Sequence, residues 1–149
     1  MRSEFRNLRV TQLERSLAPF LPANDSPRPQ KGWLRAIREA TGVTVGEMAK
    51  RLGKVPSLAL YLEKSEAEYR ITLGSLRAAA DALDCELVYA LVPKNGSIRE
   101  LSEQRARSKA SENVLAVEHT MTLEDQAAGG VQAKVEEETK RILKQRLDK

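Results

Sequence analysis

Hydrophobic positions between residues 33 and 63 recur at the spacing of three short helices that are separated by turn residues. In chain order, the apolar positions are Trp33, Leu34, Ile37 and Ala40, then Met48, Ala49 and Leu52, and then Leu58, Ala59 and Leu62. Thr44 and Glu47 predict a capping box that starts the second helix, and Gly53 predicts its end. Pro56 suits the first position of the third helix. Two short helices joined by a glycine-containing turn can place one helix in a DNA major groove.

Further helices are predicted on both sides of this region. Residues 2–18 suit an amphipathic helix, and the proline-rich residues 19–32 suit an extended connector. The apolar positions are Phe5, Leu8, Leu13 and Leu17 in the first helix, and Leu73, Leu76, Ala79, Ala80 and Leu83 in a helix that closes the central region. We therefore divide the chain into residues 1–30, the helical DNA-binding region 31–84, residues 85–94, and a C-terminal helical region 95–149.

The apolar, β-branched run that ends at Pro93 predicts the single strand of the chain. An isolated strand leaves its backbone hydrogen-bonding groups unpaired, and pairing with the same strand of a second subunit would satisfy them. The residues expected in this dimer ribbon are Leu87, Val88, Tyr89 and Leu91. A last helical turn, or a strand packed on its own subunit, is the alternative.

The C-terminal region predicts two helices. The first is capped by Ser97, runs to about Gln126, and breaks at Ala127-Ala128-Gly129-Gly130. Its packed face is predicted at Ala106, Ala110, Val114, Val117 and Met121. The second helix carries Val135, Ile142, Leu143 and Leu147, and either docks on the first helix or binds a partner.

Composition favours a binding protein over an enzyme. The 149 residues include one cysteine and one histidine, and neither Cys85 nor His119 has a metal-ligand or catalytic partner at a recognisable spacing. We therefore predict no catalytic residue, no cofactor and no metal. The sequence shows neither an apolar run of membrane-spanning length nor the apolar core of a signal peptide, so we expect a cytoplasmic protein without a membrane partner.

Positive charge is concentrated where the motif lies. Residues 28–64 contain eight Lys or Arg against three Glu, whereas the segment from residue 94 onward has eleven basic and ten acidic residues. Phosphate contacts require basic side chains, so the charge agrees with double-stranded DNA as a partner. A solvated helical surface would tend towards the mixed charge of the C-terminal region.

The central region resembles the XRE family of phage-repressor-type domains, in which Ala49 and Gly53 allow close helix packing and Glu63 occupies the usual acidic position. The resemblance implies a mainly α fold with a helix-turn-helix. The positions expected to contact DNA are Thr44, Lys50, Arg51, Lys54, Pro56, Ser57, Leu60, Tyr61 and Lys64. Pro56, Tyr61 and Val45 depart from the polar residues usual there, and this weakens the expected sequence specificity more than the expected fold.

A narrower resemblance covers nearly the whole chain. The segments that carry it are Pro27, Gly32–Arg38, Leu62–Glu66, Ala82–Cys85, Val88–Pro93 and Val117–Glu124. They are similar to the family called mobile mystery protein A, which is encoded beside a Fic-domain protein. This resemblance implies an antitoxin, or regulator, of a Fic-type AMP-transferase. A homodimer formed through the predicted strand would present two recognition helices to successive major grooves, so we expect it to bind an inverted-repeat operator.

Ser108, Glu112 and Asn113 fit the inhibitory pattern of Fic antitoxins, in which a Glu pairs with an Arg that would otherwise hold the ATP γ-phosphate. At 100° per residue, Ser108 and Glu112 share one helix face that points away from Ala110. The pattern is short, and a charged surface helix would also produce it. The alternatives are a repressor that never touches the Fic active site, and a protein-binding module that has lost its affinity for DNA.

Overall fold

The computed structural model describes residues 2–123 and 130–147 and is mainly helical over them. The seven α-helices of the described residues are α1 Arg2–Leu17, α2 Trp33–Thr41, α3 Val45–Leu52, α4 Pro56–Ala67, α5 Leu73–Ala82, α6 Ile98–Leu123 and α7 Val131–Leu147. A 3-10 helix, Ala18–Asp25, follows α1. Two compact units are formed, one by Asp25–Ala90 and one by Met1–Asn24 with Leu91–Lys149.

The unit Asp25–Ala90, here called the central unit, packs α2, α3, α4 and α5 around a small core. Its buried residues are Leu34, Met48, Ala49, Ala59, Ala79, Ala82 and Leu83. Alanines at the contact between α3 and α4 present little side-chain volume, so these two helices can approach closely. Trp33, Ala40 and Leu73 are exposed, so the apolar faces expected for α2 and α5 are narrower than their sequence patterns predict.

Residues 85–93 form no helix, and they make no strand ladder with the described part of the chain. The strand predicted over 85–94 therefore has no pairing partner among residues 2–123 and 130–147, and its pairing with a second copy stays a prediction. The prediction of an extended connector over residues 19–32 is wrong for residues 19–25, which belong to the 3-10 helix. A proline φ near −65° is compatible with a helical turn, so Pro22 does not force extended backbone.

In the second unit, here called the terminal unit, α6 and α7 pack against each other. Ala106, Ala110 and Ile142 are buried between them, so docking of the last helix on the long helix is confirmed. Val117 is 52% exposed, and the prediction that it packs is wrong. The buried face continues instead through Glu118, whose side chain is 14% exposed and pairs with Lys134.

The start of α6 agrees with its sequence, because Ser97 Oγ accepts a hydrogen bond of 3.1 Å from Glu100 N. The predicted end near Gln126, the Ala127-Ala128-Gly129 part of the break, and the side chains of Met121 and Leu147 lie outside the described residues. Within the described ranges, no helix has the length and apolar character needed to cross a bilayer.

Candidate nucleic-acid interface

Both ends of α3 and the start of α4 are set by local sequence signals. Thr44 Oγ1 accepts a hydrogen bond of 3.2 Å from Glu47 N, and Thr44 N donates one of 2.7 Å to Glu47 Oε2. This confirms the capping box, and the bond from Thr44 N lowers the pKa of the Glu47 carboxyl. Gly53 ends α3 with φ +65°, a conformation that favours glycine, and Pro56 is at the start of α4. A Cβ at Gly53 would meet no atom within 4 Å, so glycine is needed there for its backbone angle and not for close packing.

A buried ion pair holds α4 against α2. Both nitrogens Nε and Nη2 of Arg38 donate to the Glu63 carboxylate, the latter at 3.2 Å, and Nη1 donates to the carbonyl of Val43 at 3.3 Å. The side chains are only 11% and 5% exposed, and the bond to Glu63 raises the pKa of Arg38. Planar bidentate pairing fixes direction as well as distance, so it restrains α4 about its own axis.

A second carboxylate on α4 caps α2. Glu66, 5% exposed, accepts hydrogen bonds from Trp33 N at 2.8 Å and from Leu34 N at 2.9 Å. These are the first backbone N–H groups of α2, and the Gly32 that precedes them has no side chain with which to cap the helix. Gly32 has φ +84°, and a Cβ there would overlap the Glu66 carboxylate.

The C-terminal end of α4 is capped by Arg28. Its guanidinium donates to the carbonyls of Glu66 at 3.1 Å and Ala67 at 2.9 Å, and lies 3.9 Å from the centroid of the Tyr69 ring. Arg28 and Arg38 therefore stabilise the fold, although both belong to the basic excess counted in the sequence. Sequence reasoning missed these roles. Two signals were available: acidic residues occur on the otherwise apolar face of α4, and α2 begins after a glycine, which cannot cap it.

One face of α4 is left entirely to solvent. The exposed residues along it are Pro56, Ser57, Leu60, Tyr61 and Lys64. At 100° per residue they span about 140° of the helix circumference. The opposite arc contains the buried Ala59, Glu63 and Glu66. The structure thus brings together all five predicted positions on α4, here called the α4 stripe, with a proline at one end and a lysine at the other.

The remaining predicted DNA contacts lie on α3 or next to its ends. Thr44, Lys50, Arg51 and Lys54 are all exposed, and the two lysines form no ion pair within residues 2–123 and 130–147. Arg51 is different, because it donates to the Ala82 carbonyl at 3.1 Å and to Asp84 Oδ2 at 2.6 Å. The Arg51 guanidinium is therefore already hydrogen-bonded within the central unit, although its side chain is exposed.

Val45, the first residue of α3, lies where the sequence analysis expects a polar residue that contacts a phosphate. Its side chain is partly buried and packs against the hydrophobic core of the central unit. Packing explains an apolar residue at this position, and it leaves the neighbouring lysines to make any phosphate contact.

The candidate inhibitory residues lie on α6. Ser108 and Glu112 are exposed, and the Glu112 side chain is 72% exposed with Lys109 Nζ 3.8 Å from Oε2. Asn113 instead turns towards α7, where its Nδ2 donates to Glu138 Oε1 at 3.1 Å. Arg141 and Asn113 together lower the pKa of the Glu138 carboxyl. Two of the three residues are therefore accessible, and the third joins α6 to α7.

Comparison of the chain with protein-family models, with curated proteins and with solved structures finds no match.

Proposed function

We propose that the protein is a DNA-binding transcriptional regulator in which α3 and α4 form a helix-turn-helix and α4 is the recognition helix. The observation that carries the proposal is the α4 stripe, every residue of which is exposed while two buried carboxylates hold the opposite face of the same helix. A recognition helix needs this combination, because base contacts require a fixed orientation in the groove.

The exposed groups suit distinct parts of a duplex. The hydroxyls of Ser57 and Tyr61 can bond base edges or phosphates, and Pro56 and Leu60 offer apolar contact to a thymine methyl group. Lys50, Lys54 and Lys64 are proposed to bind phosphates, with weaker contributions from the Thr44 hydroxyl and Arg51. Binding, and not catalysis, is the proposed activity.

We propose that the protein binds its operator as a homodimer. Residues 85–94, with Leu87, Val88, Tyr89 and Leu91, are proposed to pair with the same segment of a second copy. Two recognition helices would then meet successive major grooves about 34 Å apart, so the proposed operator is an inverted repeat in the DNA that precedes its own gene.

Fluorescence anisotropy with this DNA, at several salt concentrations, tests the proposal. Lys54→Ala should reduce the slope of log K against log salt by about one, because one phosphate contact is lost. Lys140→Ala, an exposed lysine on α7, is the matched control and should leave the slope unchanged. Ser57→Ala with Tyr61→Ala should weaken binding to the operator, by about tenfold or more, without weakening binding to unrelated DNA.

Absent or salt-insensitive binding would contradict the DNA-binding proposal, whereas equal slopes for the two lysine variants would contradict only the phosphate contact of Lys54. Absent binding would favour a protein-binding module instead, for which the exposed Leu60 and Tyr61 are the supporting observation.

A second function is favoured by Ser108 and Glu112, which lie one turn apart on the exposed side of α6. We propose that Glu112 engages an arginine in the active site of the neighbouring Fic-type AMP-transferase. A carboxylate matches a guanidinium in a bidentate pair, so it would remove an anchor of the ATP γ-phosphate. The alternative is a repressor whose α6 and α7 serve assembly only.

AMP transfer by the Fic protein, measured with and without this chain, separates these alternatives. Wild type and Glu103→Gln, which changes a carboxylate on the other side of α6, should both suppress the reaction. Glu112→Gln should bind the Fic protein but suppress it less. Equal suppression by all three would move the inhibitory contact elsewhere, and no suppression by any would leave a DNA-binding regulator alone.

A further inference from the structure

The segment that follows α5 leaves its backbone unpaired. Within the described ranges, no hydrogen bond joins residues 86–93 to any other part of the chain. Val88 and Tyr89 are nevertheless exposed apolar side chains. Exposed backbone donors and acceptors beside apolar side chains are what a pairing edge presents to another chain.

A groove of about 630 Å³ lies between this segment and the outer face of α5. Its lining residues are Leu73, Gly74, Arg77, Asp81, Glu86, Leu87 and Tyr89, all within the central unit. Leu73 and Tyr89 are exposed, and Gly74 adds no side chain, so the groove is open and partly apolar.

The charges of this groove are of both signs and have no partner within the described chain. The side chains of Arg77, Asp81 and Glu86 are exposed and make neither ion pair nor hydrogen bond with residues 2–123 or 130–147. Arg77 and Asp81 lie one turn apart on α5, so a two-fold axis between them would bring each beside its opposite in a second copy. A surface that carries both signs in this way is complementary to itself, as a two-fold interface requires.

We propose that a second copy of this chain docks on this groove, with Arg77 of each copy facing Asp81 and Glu86 of the other. The interface combines the outer face of α5 with the paired segments 86–90, and the charges set the antiparallel register of those segments. This inference rests on the homodimer of the proposed function and adds the residues that determine its geometry.

Sedimentation of the full-length chain tests the interface without DNA. Wild type should be a dimer. Arg77→Glu, and separately the double variant Asp81→Lys with Glu86→Lys, should each raise the dimer dissociation constant at least about tenfold, because like charges then face each other. An equimolar mixture of the two variants should form a heterodimer, because each charge again meets its opposite. Circular dichroism should show unchanged helix content, since all three positions are exposed.

A monomeric wild type would overturn the proposal and leave the groove to a different chain. Variants that remain dimeric, or a mixture that fails to associate, would overturn it as well. Duplex binding is measured separately. A wild-type dimer that binds no DNA would contradict the proposed DNA binding but not this interface. Salt-sensitive binding by a wild-type monomer would contradict this interface and the homodimer, but not DNA binding by α4.

Discussion

Replacing Glu66 with Gln is predicted to destabilise the central unit strongly, although the side chain lies on the opposite face of α4 from the α4 stripe. The carboxylate accepts hydrogen bonds from the first two N–H groups of α2 and is 5% exposed. Glutamine retains one acceptor oxygen but turns an NH2 group towards the other N–H. The negative charge at the N-terminus of α2 is lost as well.

The magnitude follows from these losses. A hydrogen bond to a charged group contributes about 1.5–3 kcal/mol, and removal of a helix cap costs about 1 kcal/mol. One lost bond and one lost charge therefore lower the free energy of unfolding by about 2–3 kcal/mol. With an m-value of about 2 kcal/mol/M in urea, the unfolding midpoint should fall by about 1 M or more.

Urea unfolding followed by fluorescence measures this directly, because Trp33 is the only tryptophan and begins α2. Glu39→Gln is the matched control: it removes one carboxylate from α2 itself, where Glu39 pairs with Arg35 at the surface. Its midpoint should match wild type, since exposed pairs contribute little. Equal midpoints for Glu66→Gln and Glu39→Gln would refute the capping role.

Three other substitutions test the same framework. Gly32→Ala should lower the free energy of unfolding by about 2 kcal/mol in urea titrations, because it strains a positive φ and displaces the Glu66 carboxylate. Folding lowers the pKa of Glu47, so its carboxylate adds stability that is present above the ordinary pKa of 4.5 and is lost as the pH falls below that value. The thermal midpoint of Glu47→Gln should therefore fall less than that of wild type as the pH is lowered through this range. Arg38→Met should cost about 3 kcal/mol by leaving Glu63 buried and unpaired, whereas the double variant with Glu63→Leu should recover most of that loss in the same assay.

The caps that the sequence predicts correctly are local. Thr44 and Glu47 are three residues apart, and the hydrogen bonds they make belong to one turn of chain. Gly53 and Pro56 act through their own backbone angles, so their positions alone indicate where α3 ends and α4 begins. Once the start of α4 is known, the helical periodicity of 100° per residue indicates which of its side chains face solvent, so the whole α4 stripe could be predicted.

The supports of α4 could not be predicted in this way. Glu66 reaches Leu34 across 32 residues of sequence, and Glu63 reaches Arg38 across 25. Carboxylates on an apolar helix face signal a buried partner, but only the packing of α4 on α2 identifies it. For the same reason, the sequence places Arg28 in the basic excess of residues 28–64 and does not indicate that it caps α4.

The face of α6 shows a different limit. Spacings of three and four both suit a helix, and the apolar Val117 suggested a step of three after Val114. The packed face takes a step of four to Glu118 instead, because Lys134 on α7 pairs with that carboxylate. An ion pair between a half-exposed lysine and a largely covered carboxylate thus overrides the apolar pattern at this position.

The most direct test of the central claim is a hydroxyl-radical footprint of the wild-type chain on the DNA that precedes its own gene. The account predicts two protected windows whose centres lie about one helical turn, or about 10 base pairs, apart. Both should disappear when Ser57 and Tyr61 are changed to alanine in a protein that remains folded. Absence of protection at low salt, or protection unaltered by those two changes, would contradict α4 as a recognition helix.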